Sequence, residues 1–132
     1  MEITVSQEQG RVLITVLRIK GEINTNTAGE FQAEARKAYD DGARDMLIDL
    51  SDVSYITSAG LRVLHEIFSL LRSDSPEESD EAIKKGIIDG SYTSPHLKLL
   101  KPNKNVQEVL STAGYDMFLE IHSNRKNAIA SF

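Results

Sequence analysis

The sequence lacks cysteine, long apolar runs and an excess of positive charge. Without cysteine the chain can form neither disulfides nor thiolate metal sites, which suits a reducing compartment, so we expect a cytoplasmic protein. No apolar stretch reaches the ~18 to 20 residues of a membrane span, and the opening Met1 to Thr4 has no signal-peptide pattern. We therefore expect no membrane partner.

The charge balance is acidic. Fifteen Lys and Arg face twenty Asp and Glu, a net charge of -5 in 132 residues. Nucleic acids and anionic membranes are bound by basic surfaces, so neither is expected as a partner. A chain of this length is expected to form one domain, residues 1–132.

Motifs that carry catalysis are also missing. The sequence has no phosphate-binding Gly-x-x-x-x-Gly-Lys-Ser/Thr loop, no Gly-x-Gly-x-x-Gly and no Gly-x-Ser-x-Gly turn. Its three histidines are far apart and none has the spacing of a metal ligand pair. We expect no metal, no cofactor and no enzymatic activity.

Apolar periodicity predicts alternating strands and helices. Buried strands are indicated at Arg11–Ile19, Met46–Leu50, Leu97–Leu100 and Met117–Ile121, and a short one ends before the turn at Glu8–Gly10. Helices are indicated from about Thr27 to Gly42, from Ser58 to about Leu71 and from Asn103 to Gly114; residues 124–132 form a short helix or a frayed tail. Strand–helix–strand order predicts an α/β domain with right-handed crossovers and parallel strands.

Three local features refine this scheme. Gly21 to Asn24 is expected to break the second strand, and Thr27 with Glu30 has the spacing of a capping box for the first helix. Residues 72–94 are acidic and poor in core residues, which predicts a solvated loop insertion, in which Ser75 before Pro76 could cap a short helix ending at Gly86. The functional alternative for this segment is an added docking surface.

Two adjacent hydroxyls, Thr57 and Ser58, lie where a buried strand gives way to a helix. One of them is sufficient to cap the helix, which leaves the other free to face solvent. An exposed serine at a helix N-terminus can accept a phosphate, because the helix dipole favours an anion there. The modification would add about -1.5 to -2 charges and would act on binding more than on folding.

The stretch Asp49 to Leu61 reads Asp-Leu-Ser-Asp-Val-Ser-Tyr-Ile-Thr-Ser-Ala-Gly-Leu. It resembles the signature of STAS domains, above all that of the bacterial anti-sigma factor antagonists, and Gly21 to Asn24 resembles the family's Gly-Glu-Leu-Asp element. The likeness covers most of the chain outside residues 72–94. The resemblance implies a single STAS-type domain, with a mixed sheet of about five strands, an antiparallel edge and about four helices mainly on one face.

The resemblance also implies a function. Such a protein binds an anti-sigma factor, often a serine kinase, and so frees a sigma factor for transcription. The kinase phosphorylates the motif serine, here Ser58, and ends the interaction; a phosphatase restores it. Thr57 is a second candidate acceptor. The expected binding surface, on a monomer or weak homodimer, comprises Gly21, Glu22, Asn24, Thr25, Thr57, Ser58, Ala59, Gly60, Leu61 and Arg62, with Thr57 capping the helix and Gly60 letting the backbone turn closely under the partner.

This sequence departs from the family pattern at two acids, which are replaced by Thr57 and Asn24. Less negative charge near Ser58 should make a phosphate easier to hold. The same changes could mark a lost switch, and the alternative function is then a phosphorylation-independent STAS adaptor in a transport or stress-sensing assembly. Nucleotide binding, reported for some STAS domains, is a third alternative without a phosphate loop to support it.

Overall fold

The computed structural model describes residues 1–72, 85–87 and 92–132. Within them the chain alternates strands and helices around one sheet. The elements in chain order are β1 (Glu2–Gln9), β2 (Leu13–Ile23), α1 (Ala28–Asp40), β3 (Met46–Ile56), α2 (Ser58–Arg72), β4 (Leu97–Leu100), α3 (Lys104–Thr112), a 3-10 helix (Tyr115–Met117), β5 (Glu120–His122) and α4 (Arg125–Ala130).

The strands are hydrogen-bonded in the order β1-β2-β3-β4-β5. β1 is antiparallel to β2, and every other neighbouring pair is parallel. This is the predicted mixed sheet with an antiparallel edge, so the α/β fold class is confirmed. β2, β3, β4 and β5 are parallel, so their carboxyl ends lie at the same edge of the sheet. The loops that leave these ends therefore gather at this carboxyl edge.

Two apolar clusters cover the two faces of the sheet. The larger contains the buried residues of α1, α2 and α3, with Phe31 and Leu64 fully buried. The smaller contains Ala128 of α4 against Val16 and Leu47, with Ile129 and Phe132 packed beside it. Among the described residues, α1, α2 and α3 therefore share one face, and α4 lies on the other, so the C-terminal segment is docked and not frayed.

Strand ends differ from the sequence expectation. β1 continues through Gln9, β5 is Glu120–His122 with the 3-10 helix in place of its predicted start, and β2 continues past Gly21. β3 was expected to end at Leu50 but runs to Ile56.

The extended ends of β2 and β3 pair with each other. Their register shifts twice near Gly21, which has a φ of +115°, and their pairing ends at Ile23 and Ile56. β4, in contrast, pairs with β3 only as far as Asp49. The two longest strands thus project together beyond the rest of the sheet.

The predicted insertion at residues 72–94 lies mostly outside the described residues. Its described part is not the solvated loop that the composition suggested. Residues 85–87 are helical, and Ile87 and Tyr92 pack against the larger core. The ring centroid of Tyr92 lies 6.1 Å from that of Phe68.

Helix α2 approaches the projecting strands closely at Gly60. A Cβ atom on this residue would lie 2.6 Å from Cγ1 of Ile56 and 2.7 Å from Cγ2 of Ile23. Both isoleucines are fully or almost fully buried, so neither side chain can move aside without disturbing the core. The glycine is therefore required by packing inside the domain, and not by a close approach to a partner.

We predict that Gly60→Ala lowers the free energy of unfolding by about 1 to 3 kcal/mol, the usual cost of overpacking a core. The alanine would gain up to about 1 kcal/mol of helix propensity, which is too little to compensate fully. Urea unfolding followed by circular dichroism measures the change.

Gly29→Ala is the matched control for this prediction. Gly29 is also helical, but it is exposed and a Cβ there would meet nothing within 4 Å. It should leave stability unchanged or raise it by up to about 1 kcal/mol. A Gly60→Ala protein as stable as the parent would contradict the packing argument.

Candidate functional site

The loop between β2 and α1 is organised by the side chain of Asn24. Its Oδ1 accepts hydrogen bonds from the backbone N–H groups of Asn26 at 2.9 Å and Thr27 at 3.2 Å. Its Nδ2 donates to a carboxylate oxygen of Glu22 at 3.2 Å. A carboxylate at this position could accept the same backbone bonds, so the amide preserves the loop geometry without the negative charge.

Thr27 fastens the same loop from the other side. Its Oγ1 accepts from the backbone N–H of Asn24 at 2.9 Å and donates to the carbonyl oxygen of Glu22 at 2.8 Å. Thr27 lies at the N-cap of α1 but its side chain makes no capping hydrogen bond to the helix. The predicted capping box with Glu30 is therefore wrong, because this hydroxyl is used within the loop.

The loop between β3 and α2 is joined to the first loop through Thr57. The backbone N–H of Thr57 donates to the carbonyl oxygen of Ile23 at 2.9 Å, and its hydroxyl donates to the same oxygen at 3.4 Å. The carbonyl oxygen of Thr57 accepts from the N–H of Leu61 at 3.0 Å, the first bond of the helix. Thr57 thus precedes the helix, but the prediction that its side chain caps the helix is wrong, because its hydroxyl is bonded to β2.

Ser58 is the first residue of α2 and its side chain is exposed. Its hydroxyl forms no hydrogen bond with any residue in the described part of the chain. Ala59, the next residue, is half-buried and carries no competing hydroxyl. Ser58 is consequently the more accessible of the two candidate acceptors, since Thr57 is half-buried and bonded to Ile23.

The other predicted contact residues divide by exposure. Glu22, Thr25 and Arg62 are exposed, and Gly21 and Asn24 are half-buried. Gly60 and Leu61, in contrast, are buried in the domain. The accessible surface is therefore smaller than the predicted set, and we name its carboxyl-edge part around Asn24, Thr25, Thr57, Ser58 and Arg62 the switch surface.

Three residues near this surface, Tyr55, Asn103 and Tyr115, were not predicted to contribute. Tyr55 is 50% exposed although it is a large apolar residue, and it lies three residues before Ser58. Asn103 caps α3 by accepting from the N–H of Val106 at 2.8 Å, and its Nδ2 donates to the carbonyl oxygens of Val53 at 3.1 Å and Ser54 at 3.3 Å. The capping role of Asn103 could be predicted from the sequence. Its contact with Val53 and Ser54 could not, because it depends on how β3 and β4 are placed in the sheet.

Tyr115 supports the first turn of α2. Its hydroxyl donates to the carbonyl oxygen of Leu61 at 2.8 Å. Burial raises the pKa of the Tyr115 phenol, and the nearby positive charge of Arg62 acts in the opposite direction. Arg62 itself forms no ion pair with a described residue.

Among residues 1–72, 85–87 and 92–132, no group of three His, Asp or Glu side chains is placed to hold a metal ion. In the same residues no helix is long and apolar enough to cross a bilayer. What the switch surface offers is an exposed hydroxyl on a firmly held backbone.

The sequence of the chain is similar to those of known proteins. The sequence model of the STAS domain matches residues 4–75, more than half of the chain. Among curated proteins, the provisionally named anti-sigma factor antagonist BtrV of Bordetella bronchiseptica is 27% identical over 132 residues, which cover all of this chain and 95% of BtrV.

Solved structures share the fold. An anti-sigma factor antagonist from Mycobacterium paratuberculosis superposes with a TM-score of 0.69 at 18% identity, covering 98% of this chain and 93% of the other. The anti-sigma factor antagonist SpoIIAA in its unphosphorylated form gives 0.66 at 16% identity, covering 96% and 93%. SpoIIAA of Bacillus in its phosphorylated form gives 0.64 at 15% identity, covering 97% and 96%. With the family sequence match extending from β1 into the residues after α2, and with this fold, the chain belongs to the STAS domain family.

Proposed function

We propose that this protein is an anti-sigma factor antagonist. Unphosphorylated, it binds an anti-sigma factor that is also a serine kinase, through the switch surface. Phosphorylation of Ser58 ends this binding, and a phosphatase restores it. The observation that carries the proposal is the exposed, unbonded Ser58 hydroxyl at the start of a helix in a STAS domain.

The backbone beneath Ser58 favours a switch that acts on binding and leaves the fold unchanged. Thr57 is held to Ile23, and Gly60 packs between Ile23 and Ile56. A kinase can therefore reach the hydroxyl without unfolding the helix start. The added phosphate would project into the space that a bound partner occupies and would be strongly hydrated, so it opposes binding.

Structures of a relative support the same division between fold and binding. SpoIIAA has been solved in unphosphorylated and phosphorylated forms, and this chain superposes on both with similar TM-scores of 0.66 and 0.64. A phosphorylated member of this fold therefore keeps the fold. We infer that Ser58 can carry a phosphate here with little change in structure.

Asn24 and Thr57 stand where the family pattern has acids. These two replacements favour a second candidate function, that of an adaptor that binds its partner without a phosphorylation switch. Asn24 and Thr57 both serve hydrogen bonds that hold the loops, so the surface is well formed whether or not a kinase recognises it. The two candidates differ in whether a charge at Ser58 changes binding.

A negative charge at position 58 should weaken binding of the anti-sigma factor. Ser58→Asp should raise the Kd for the cognate anti-sigma factor by at least about tenfold, or about 1.4 kcal/mol, because a carboxylate would be buried at the interface. Ser58→Ala should keep the Kd within about twofold, since no bond inside the domain is lost. Isothermal titration calorimetry against the purified anti-sigma factor measures both.

Ser6→Asp provides the control of equal charge. Ser6 is exposed in the middle of the edge strand β1, away from the carboxyl edge. It should bind like the parent. If Ser58→Asp also binds like the parent while the parent binds tightly, the adaptor is the better description.

The second prediction concerns the missing acid at Asn24. Asn24→Asp keeps the acceptor for Asn26 and Thr27 but adds a negative charge near Ser58. Phosphoserine genetically encoded at position 58 should therefore lower Tm by about 1 to 3 °C more in this variant than in the parent, from ~0.5 kcal/mol of like-charge repulsion.

Asn124→Asp is the matched control, because Oδ1 of Asn124 also accepts a backbone N–H, that of Asn127 at 3.0 Å, but at α4 on the other face of the sheet. In Asn124→Asp, phosphoserine at position 58 should change Tm by the same amount as in the parent. If it also changes Tm by that same amount in Asn24→Asp, a carboxylate at position 24 does not influence the phosphate.

The third prediction concerns Tyr55. Exposed aromatic residues contribute strongly to interfaces, and Tyr55 lies beside the switch surface. Tyr55→Ser should weaken binding of the anti-sigma factor by about fivefold or more. Leu13→Ser removes a side chain that is equally exposed, 51%, at the opposite end of the sheet, and it should not change the Kd. Equal affinities for the two variants would exclude Tyr55 from the interface.

A further inference from the structure

The carboxyl edge carries three exposed cations, Arg62, Lys101 and Lys104, on a protein whose net charge is -5. Arg62 lies one helical turn after Ser58, and the two lysines flank the start of α3. None of the three forms an ion pair within the described residues. We name these three residues the basic strip.

Contacts within the domain join the start of α3 to the strand that leads to the switch surface. Asn103, between the two lysines, donates its side-chain N–H groups to the carbonyl oxygens of Val53 and Ser54 of β3, which ends two residues before Ser58. Arg62, the third member of the strip, belongs to the switch surface itself, four residues after Ser58 in α2.

The strip is not explained by the stability of the fold. Lys104 is the first residue of α3, where the helix dipole disfavours a cation, and the first turns of α2 and α3 contain no acidic residue. Lys101 has a φ of +50°, an uncommon conformation for a residue with a side chain. Elsewhere Arg18, Arg36, Lys98 and Arg125 are paired with carboxylates of the domain.

We propose that the basic strip binds an acidic patch on the anti-sigma factor and orients the partner over Ser58. This inference rests on the proposed function. A local positive field on an acidic protein attracts a negative partner surface to one place, which raises the association rate and fixes the docking direction. The partner surface that faces α2 and α3 should therefore carry carboxylates.

The strip also explains how the phosphate acts electrostatically. Phosphorylation adds about -1.5 to -2 charges one turn from Arg62, which lowers the summed charge of the three cations and the phosphate to about +1 to +1.5. Ser58 and Arg62 have the i,i+4 spacing of helix neighbours, so the phosphate can pair with the guanidinium that otherwise faces the partner. Phosphorylation then removes attraction in addition to adding bulk.

The test compares two double variants that remove equal charge. Arg62→Gln with Lys104→Gln neutralises two members of the strip. Arg11→Gln with Lys37→Gln neutralises one arginine and one lysine that are also exposed and without an ion pair in the described residues. They lie in the turn before β2 and in the last turn of α1. Association rates with the purified anti-sigma factor are measured by stopped flow between about 20 mM and 500 mM salt.

The strip variant should associate about three- to tenfold more slowly than the parent at low salt, and the difference should fall below about twofold at high salt. The control variant should follow the parent throughout. If the parent binds the anti-sigma factor and the two double variants behave alike, the strip does not bind an acidic patch. If the parent binds no anti-sigma factor, the proposed function itself is wrong.

A basic strip could also attract a nucleic acid, and binding of a short single-stranded DNA tests this alternative. The parent should not bind it detectably at 150 mM salt. Binding that is lost in the strip variant, combined with an unchanged rate for the anti-sigma factor, would assign the strip to nucleic acid and overturn the proposal.

Discussion

The close contact between Gly60 and the two isoleucines at the ends of β2 and β3 determines where the proposed switch surface lies. Because no side chain separates the helix from these strands, the first turn of α2 rests directly on their projecting ends. The hydrogen bond from Thr57 to Ile23 then joins the two loops. The loops that carry Ser58 and Asn24 are neighbours as a consequence of these two contacts.

On this rigid base the chemistry of the surface is set by charge. Asn24 keeps the hydrogen bonds of the loop without a carboxylate, and Thr57 replaces a second acid of the family pattern. Arg62 of the basic strip lies four residues after Ser58 in the same helix. A phosphate on Ser58 would therefore gain a cationic neighbour within the protein, while it changes strongly what a partner encounters.

Much of the fold could be predicted because burial leaves a periodic pattern. The order of elements, the parallel direction of the middle strands and the end of α1 near Gly42, which has a φ of +110°, all follow from local sequence. The projecting ends of β2 and β3 did not, since Ser, Asp and Glu there obscure the alternation and the pairing depends on register shifts. The position of Ser58 at the start of α2 could be predicted, because a polar segment there separates an apolar strand from an apolar helix. The packing of Gly60, the bonds of Thr27 and the second contact of Asn103 depend on the assembled sheet.

The central claim is that phosphate on Ser58 alone decides whether the anti-sigma factor binds. The most direct measurement mixes the protein with ATP and candidate anti-sigma kinases, determines intact mass with site mapping, and compares the affinity of the product with that of the starting protein. The account predicts one added phosphate, located on Ser58, and loss of binding. A phosphate on Ser58 that leaves the affinity unchanged, or a stable complex in which no phosphate is ever added, would contradict it.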